Sequence, residues 1–187
     1  TGGTNYEDVF KAASNFFKSG LATGNTGAIN TTYFITDGEP TFYQRAEQTN
    51  PTLYGNVKLD DVVNMNNYTL GTATRINIES NISLEINSVG KVTLWYYGTA
   101  YDRGTIHAQG DGTYETSVRD GYGSYTDTAT ATNSQNAFAL LKGLSTGGVE
   151  AIGLKSGVGL EQLAPYDSDN KPQANIDPKD LANAILG

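Results

Sequence analysis

The 187-residue chain has no cysteine and only one histidine, one methionine and one tryptophan. Without cysteine there are no disulfides, thiol nucleophiles or zinc–thiolate sites, which leaves hard oxygen donors for Ca²⁺ or Mg²⁺ as the open metal chemistry. Positive charge is scarce: 12 Lys and Arg stand against 20 Asp and Glu, a formal charge of −8. This argues against the phosphate backbone of a nucleic acid as partner, which takes clustered Lys and Arg. No stretch approaches the roughly 18 apolar residues of a membrane span, so no membrane insertion is expected. The first residues also lack the basic and apolar regions of a signal peptide, so an export signal would lie outside this sequence. There is no Gly-x-Ser-x-Gly elbow, His pair or phosphate loop, and the lone His107 alternates with Ile106 and Ala108 on an expected strand. Hydrolases and nucleotide enzymes therefore have no residue-level case. Nothing selects a glycosidase pair among the carboxylates, because such pairs are set by spatial separation. The chain is read as a non-enzyme.

What is present is a globular composition, 37% hydrophobic, with 22 Gly and 12 Tyr, the makeup of a turn-rich, β-rich domain. Tyr6, Val9, Phe10, Ala13 and Phe17 recur at helical spacing, Glu7 stands three residues after Thr4 as in a capping box, and Gly20 follows the last turn. These signals predict a helix over 5–19. Thr32-Tyr33-Phe34-Ile35 reads as a short strand of a parallel sheet, ending on Asp37, and Val149–Leu154 as a second. A helix over 134–144, with Ala137, Phe138, Leu141 and Leu144 on one stripe, precedes that second strand. A last helix begins at Asp177-Pro178 and runs through Leu181 and Ile185.

Between these α/β parts the periodicity changes to two. Ile76 and Ile78, Leu84 and Ile86, then Val92, Leu94 and Tyr96 alternate with polar residues. Ser88-Val89-Gly90-Lys91 and Gly110-Asp111-Gly112 read as hairpin turns. The expected organisation is an α/β frame, 1–57 and 133–187, carrying a large antiparallel β insertion over 58–132.

Three segments in order carry a family resemblance: Gly2-Gly3-Thr4-Asn5-Tyr6-Glu7, Thr36-Asp37-Gly38, and Val149-Glu150-Ala151-Ile152-Gly153-Leu154 with the following Leu160-Glu161-Gln162-Leu163 and Tyr166-Asp167. Together they resemble the von Willebrand factor A-type domains of large bacterial RTX adhesins, over about half the chain. The resemblance implies a partial, Rossmann-like von Willebrand A-type frame at the extracellular bacterial surface, with non-enzymatic, cation-dependent ligand binding and flanking adhesin domains. In that family an Asp-x-Ser-x-Ser loop completes the ion site, and no such sequence occurs here. An upstream strand and loop supplying it are therefore expected in the full protein. The alternative is a module that has lost the rim ion and binds by other means.

The candidate metal residues are Thr4, Asp37, Glu39, Asp167 and Asp169, with Ca²⁺ as the ion and Mg²⁺ as the alternative at the rim. Thr4 has a competing role as a helix N-cap. Asp37 sits where open α/β sheets place ligands, at a strand's carboxyl end, and competes with a plain turn role before Gly38. Asp167-Ser168-Asp169-Asn170 has the alternating oxygens of a calcium loop but lacks the glycine and distant Glu of an EF-hand, and a polar turn is the competing reading. Trp95, Tyr97, Tyr101, Asp102 and Tyr122 are the candidate ligand-binding residues, with alternation sending Trp95 and Tyr97 to one face and Tyr96 to the other. The expected partner is a host or neighbouring-cell surface protein or peptide bearing a carboxylate. A glycan is the alternative ligand, and a structural spacer the alternative role.

Overall fold

The computed structural model describes residues 3–20, 29–47, 50–65, 68–107, 113–119 and 126–187. In chain order its elements are α1 (Tyr6–Lys18), β1 (Thr32–Thr36), β2 (Phe42–Ala46), β3 (Thr52–Tyr54), β4 (Val57–Lys58), β5 (Thr74–Glu79), β6 (Ile82–Ile86), β7 (Lys91–Tyr96), β8 (Thr99–Ile106), β9 (Tyr114–Arg119), α2 (Thr128–Leu144), β10 (Val149–Leu154), α3 (Leu160–Leu163), β11 (Gln173–Ile176) and α4 (Leu181–Leu186). Single 3-10 turns lie at Leu59–Asp61, Ala164–Tyr166 and Pro178–Asp180. Helices and strands both contribute, an α/β chain in the general sense. None of the described helices is long and apolar enough to cross a membrane.

The chain divides into two compact units: unit 1 is residues 1–10, 25–43 and 119–187, and unit 2 is residues 11–24 and 44–118. The β-rich unit thus begins at Gln44 rather than at 58, and residues from 119 onward belong with the α/β part. The sequence pattern placed that end at 132 because 113–132 contains no helical stripe to mark the change.

In unit 1, β1, β10 and β11 form a parallel sheet in the order β1-β10-β11. Thr32 stands opposite Val149 and Thr36 opposite Gly153. Central β10 is almost wholly buried, which explains its apolar character apart from Glu150. β1 pairs on one side only among the described residues, and its Tyr33 and Ile35 are exposed. An aromatic cluster makes the core: the Phe34 ring lies 4.7 Å from those of both Tyr6 and Phe10, and Tyr166 packs 5.0 Å from Tyr6 and 5.7 Å from Phe10. Phe138 closes it, 5.7 Å from Phe10. Such pairs add about 0.5–1.5 kcal/mol each beyond their burial.

Three helix starts differ from the sequence pattern. The cap of α1 is Asn5, whose Oδ1 accepts the Asp8 amide at 3.0 Å, not Thr4 with Glu7. Thr4 instead donates its own amide to Thr41 Oγ1 (3.2 Å) and accepts the Thr41 amide at its carbonyl (2.8 Å). α2 begins at Thr128, six residues before the predicted start, behind Asp127, which accepts the Thr128 amide. Its opening residues, Thr-Ala-Thr-Ala-Thr, have no apolar stripe and three of the five are poor helix formers, so periodicity could not find it. The last helix opens as a 3-10 turn on Pro178 and becomes α-helical only at Leu181.

In unit 2, six strands form a sheet in the order β2-β9-β8-β7-β6-β5, antiparallel at every pairing from β5 to β9, and β3 and β4 pair as a separate hairpin. The core is mainly aliphatic, with Leu84, Ile86, Val92, Leu94 and Ile106 essentially inaccessible and Leu53, Leu59 and Leu70 covering them. The turn between β6 and β7 needs Gly90: φ is +89° and a Cβ there would run into the Ile106 carbonyl. The part of α1 in this unit is anchored by Asn15, whose carboxamide donates to Val89 O and Ile106 O, both at 3.1 Å.

Candidate functional site

The carboxyl end of the unit 1 sheet is built by two loops in contact. Asp37 and Gly38 follow β1, and a Cβ on Gly157, in the loop after β10, would overlap the Asp37 carbonyl. Only glycine lets that loop close down on the strand end. The Gly38 carbonyl accepts the hydroxyls of Tyr6 (2.5 Å) and Thr36 (3.0 Å), which fixes the turn. A Cβ on Gly38 would meet Thr4 Oγ1 at 3.4 Å, so the Thr4 hydroxyl lies directly against the Asp37-Gly38 turn. Asp37 is exposed and Glu39 half-buried. The Tyr6 hydroxyl is held above its ordinary range by burial first, and by the negative charges of Tyr166, Glu39 and Asp37 in lesser measure.

Thr4 and Asp37 are thus together, while Asp167 and Asp169 are elsewhere. Ala151, whose amide Asp167 Oδ2 accepts at 2.9 Å, stands opposite Phe34, and Glu150 opposite Tyr33, four residues before Asp37. At roughly 3.3 Å per residue this is about 13 Å back along the strand. Here Glu150, Asp167 and Asp169 each bring one oxygen within 4.8 Å of the others. Sequence reasoning missed Glu150, because nothing in a strand's alternation marks it as the neighbour of a loop 17 residues later.

The buried Asp167 has a structural task. Oδ2 takes the Ala151 amide and Oδ1 the amides of Asp169 (3.2 Å) and Lys171 (3.1 Å). Ser168 adds Oγ to the Val149 amide (2.7 Å) and its own amide to the Val149 carbonyl (2.9 Å). Two loop residues therefore satisfy the first half of β10 before β11 takes over at Gln173. Burial, and then the adjacent Asp169 carboxyl, raise the Asp167 pKa, while Asp169, exposed, is lowered. Glu150 is raised by its own burial and then by these two neighbours.

As a test of fit for Ca²⁺, which takes six to eight oxygens, the rim offers the Thr4 hydroxyl and the exposed Asp37 carboxylate. Both are of the right hard-donor type, and two are too few for a closed cage. The remaining oxygens would have to come from other residues, waters and ligand.

The described candidate ligand residues, Trp95, Tyr97, Tyr101 and Asp102, lie in unit 2 and do not share one face. Trp95 stands opposite Ser83 and Ala100, and Thr93 opposite Asp102, on the sheet face away from the core. There the Arg75 guanidinium lies 5.6 Å from the Trp95 ring and Lys91 pairs with Asp102 at 3.2 Å. The Trp95 indole N–H is buried with no acceptor among the described residues. Tyr101 pairs with Leu94 and so lies on the other face, with Arg103 5.9 Å from its ring. Tyr97 leaves the alternation altogether: β7 ends at Tyr96, and Tyr97 and Gly98, with φ of +47° and +81°, form a two-residue turn of the primed type. Tyr97 is 62% exposed, Tyr101 45% and Tyr96 40%. Tyr122 lies outside the described residues, as does the expected turn at Gly110-Asp111-Gly112.

His107 is buried beside Gln44 (3.4 Å) and Glu115 (3.4 Å), and Lys11 holds Glu115 at 2.8 Å. Burial, followed by the charges of Lys11, Lys91 and Lys18, pushes its pKa down to about 3, so near neutral pH it is an uncharged part of the packing. Comparison with protein-family models, with curated proteins and with solved structures finds no match to this chain.

Proposed function

We propose that the chain is a ligand-binding module of an extracellular bacterial adhesin, with a von Willebrand A-type frame whose strand-end rim takes part in a calcium site and recognises a carboxylate of a peptide or protein. The observation that carries the reading is the meeting of the Thr4 hydroxyl with the Asp37-Gly38 turn. Those residues are 33 positions apart, and Asn5 rather than Thr4 caps the helix, so Thr4 is not spent on capping. An ion held by such a rim keeps a position for a ligand oxygen, and a carboxylate is the natural occupant. When bound, the ion supplies positive charge for that carboxylate. The protein's part is to fix Gly38 through Tyr6 and Thr36 and to leave Asp37 accessible. The reading requires further oxygens from a strand and Asp-x-Ser-x-Ser loop elsewhere in the polypeptide.

The test is a thermal melt in calcium and in chelator, paired with calorimetry of peptides bearing a free or an amidated C-terminus. Calcium binding to the folded state raises the melting temperature by mass action, and the free acid binds only with calcium. No shift at millimolar calcium, or equal binding of acid and amide, overturns the proposal.

A second reading, a neutral glycan stacked on unit 2, is favoured by the exposure of Tyr96, Tyr97 and Tyr101. A panel of monosaccharides in chelator tests it, with binding lost in Tyr97→Ala. The same exposure weighs against a pure spacer that buries its aromatics.

A further inference from the structure

Behind Glu39, within unit 1, lies an open cavity of about 200 Å³. Four segments build it. The exit of β1 gives Glu39 and Pro40, α2 gives Ala131 and Gln135 one turn apart on one face, α3 gives Glu161, and the following 3-10 turn gives the ring of Tyr166. The corner is fixed by Thr126, whose hydroxyl donates to the Pro40 carbonyl at 2.8 Å and lies 3.5 Å from Glu39 Oε2. The Tyr166 hydroxyl bonds Ser134 Oγ at 2.7 Å, with Gln135 also hydrogen-bonded to it, so the ring cannot swing out to fill the space. The space exceeds the roughly 150 Å³ that admits a benzene ring.

The lining chemistry is one-sided. Two carboxylates and two carboxamides surround an apolar floor of proline, alanine and tyrosine, and no Lys, Arg or His is among the described lining residues. An anion entering it would meet like charge. A neutral alkyl group would leave the carboxylates without partners. A guanidinium or alkylammonium on an aliphatic stem matches every part, with the stem against Pro40 and Ala131, the cation toward Glu39 and Glu161, and the tyrosine ring as a further attraction for a planar cation.

We infer that this cavity is a binding pocket for a basic side chain, arginine above lysine, presented by a peptide or protein ligand. Its place beside the strand-end rim would let one ligand offer a carboxylate to the rim and a basic residue to the pocket. The pocket itself uses no ion, so it can be tested apart from the calcium reading.

The experiment is NMR titration of the isotope-labelled chain in chelator with N-acetyl-arginine amide, which has no carboxylate and no free amine. Its neutral isostere, N-acetyl-citrulline amide, is the control. The arginine compound should shift the amides of Ala131, Gln135 and Gln162 saturably. Citrulline should bind about tenfold more weakly, the loss expected when charge-assisted hydrogen bonds become neutral ones. Glu161→Gln, an exposed position whose change leaves the fold intact, should weaken arginine by a similar factor, as should Glu39→Gln, with the rest of the spectrum unchanged. Equal binding of citrulline, shifts scattered over the acidic surface, or no saturable shift at these residues overturns the pocket, whatever calcium does. Saturable arginine binding in chelator together with a null calcium melt would keep the pocket and remove the rim ion.

Discussion

In unit 1 five aromatic rings form the core under a parallel sheet, whereas in unit 2 the core is mainly aliphatic and three tyrosines, Tyr96, Tyr97 and Tyr101, stand in solvent. The two cores use tyrosine differently: in unit 1 Tyr6 and Tyr166 belong to a cluster of rings, whereas in unit 2 Tyr68 and Tyr114 pack among aliphatic side chains and Tyr96, Tyr97 and Tyr101 are exposed. Tyr6 and Tyr166 are buried with their hydroxyls bonded, while Tyr97 and Tyr101 are exposed. On the readings proposed above, charge would be recognised in unit 1 and flat aromatic area in unit 2, so the two are separable by mutation.

The strongest way to break this comparison is to hollow each core separately. Phe138→Ala in unit 1 should cost about 3–5 kcal/mol and Leu84→Ala in unit 2 about 2–5 kcal/mol, read by urea denaturation. Hydrogen exchange should show the loss of protection concentrated in the unit that carries the substitution. Uniform loss over both units in both variants would show that they are one cooperative block.

His107 sharpens the contrast from the side of unit 2. Its folded pKa lies near 3, below the ordinary 6.5, so between these values the unfolded chain binds the extra proton. Stability is then fully present above about pH 6.5 and falls with decreasing pH, by about 1.4 kcal/mol per unit. Glu115 does not offset this, because Lys11 already holds it. Urea melts of the native chain and of His107→Gln at pH 6 and pH 4 should differ in their pH dependence by about 3 kcal/mol. Identical dependence would mean that the histidine protonates within the fold.

In unit 1, Asp167→Asn leaves one acceptor oxygen where three amides now converge, and should cost about 1–3 kcal/mol. Faster exchange at the Ala151, Asp169 and Lys171 amides would mark the loss. If Asp167 instead served chiefly as a metal ligand, the cost would appear only in calcium. The smallest effect is expected at Tyr97. An aromatic residue at φ +47° before Gly98 is a costly choice for a primed turn, where Asn-Gly is preferred. Tyr97→Asn should raise stability by about 1 kcal/mol, measured by thermal melt, and any ligand that stacks on this ring should bind less well.

Where local pattern and tertiary environment agree, the sequence was legible. Val149–Leu154 is a strand with the expected bounds, and α1 departs from the prediction by one residue at each end. The start of α2 was not, since its Thr-rich first turn is held by the Asp127 cap and by burial of Thr130 rather than by an apolar stripe. Tyr97 was assigned to the Trp95 face because alternation continues on paper until a turn interrupts it, and Gly98 was the signal to stop. At the site, the nearness of Thr4 to Asp37 came with the family resemblance. The basic-residue pocket could not be read at all, because Glu39, Gln135 and Glu161 come from three segments whose spacing carries no common period.

The pairing of β1 on one side only, among the described residues, has a colloidal consequence. Where no further strand covers it, such an edge, flanked by the exposed Tyr33 and Ile35, is a template on which another extended chain can be laid, and such additions are self-propagating when the newcomer exposes an edge of its own. The formal charge of −8 opposes this, because copies repel one another before their edges meet. Salt shortens the reach of that repulsion without weakening the backbone bonds. Association through this edge is therefore expected to rise with ionic strength, which light scattering at low and high salt would show.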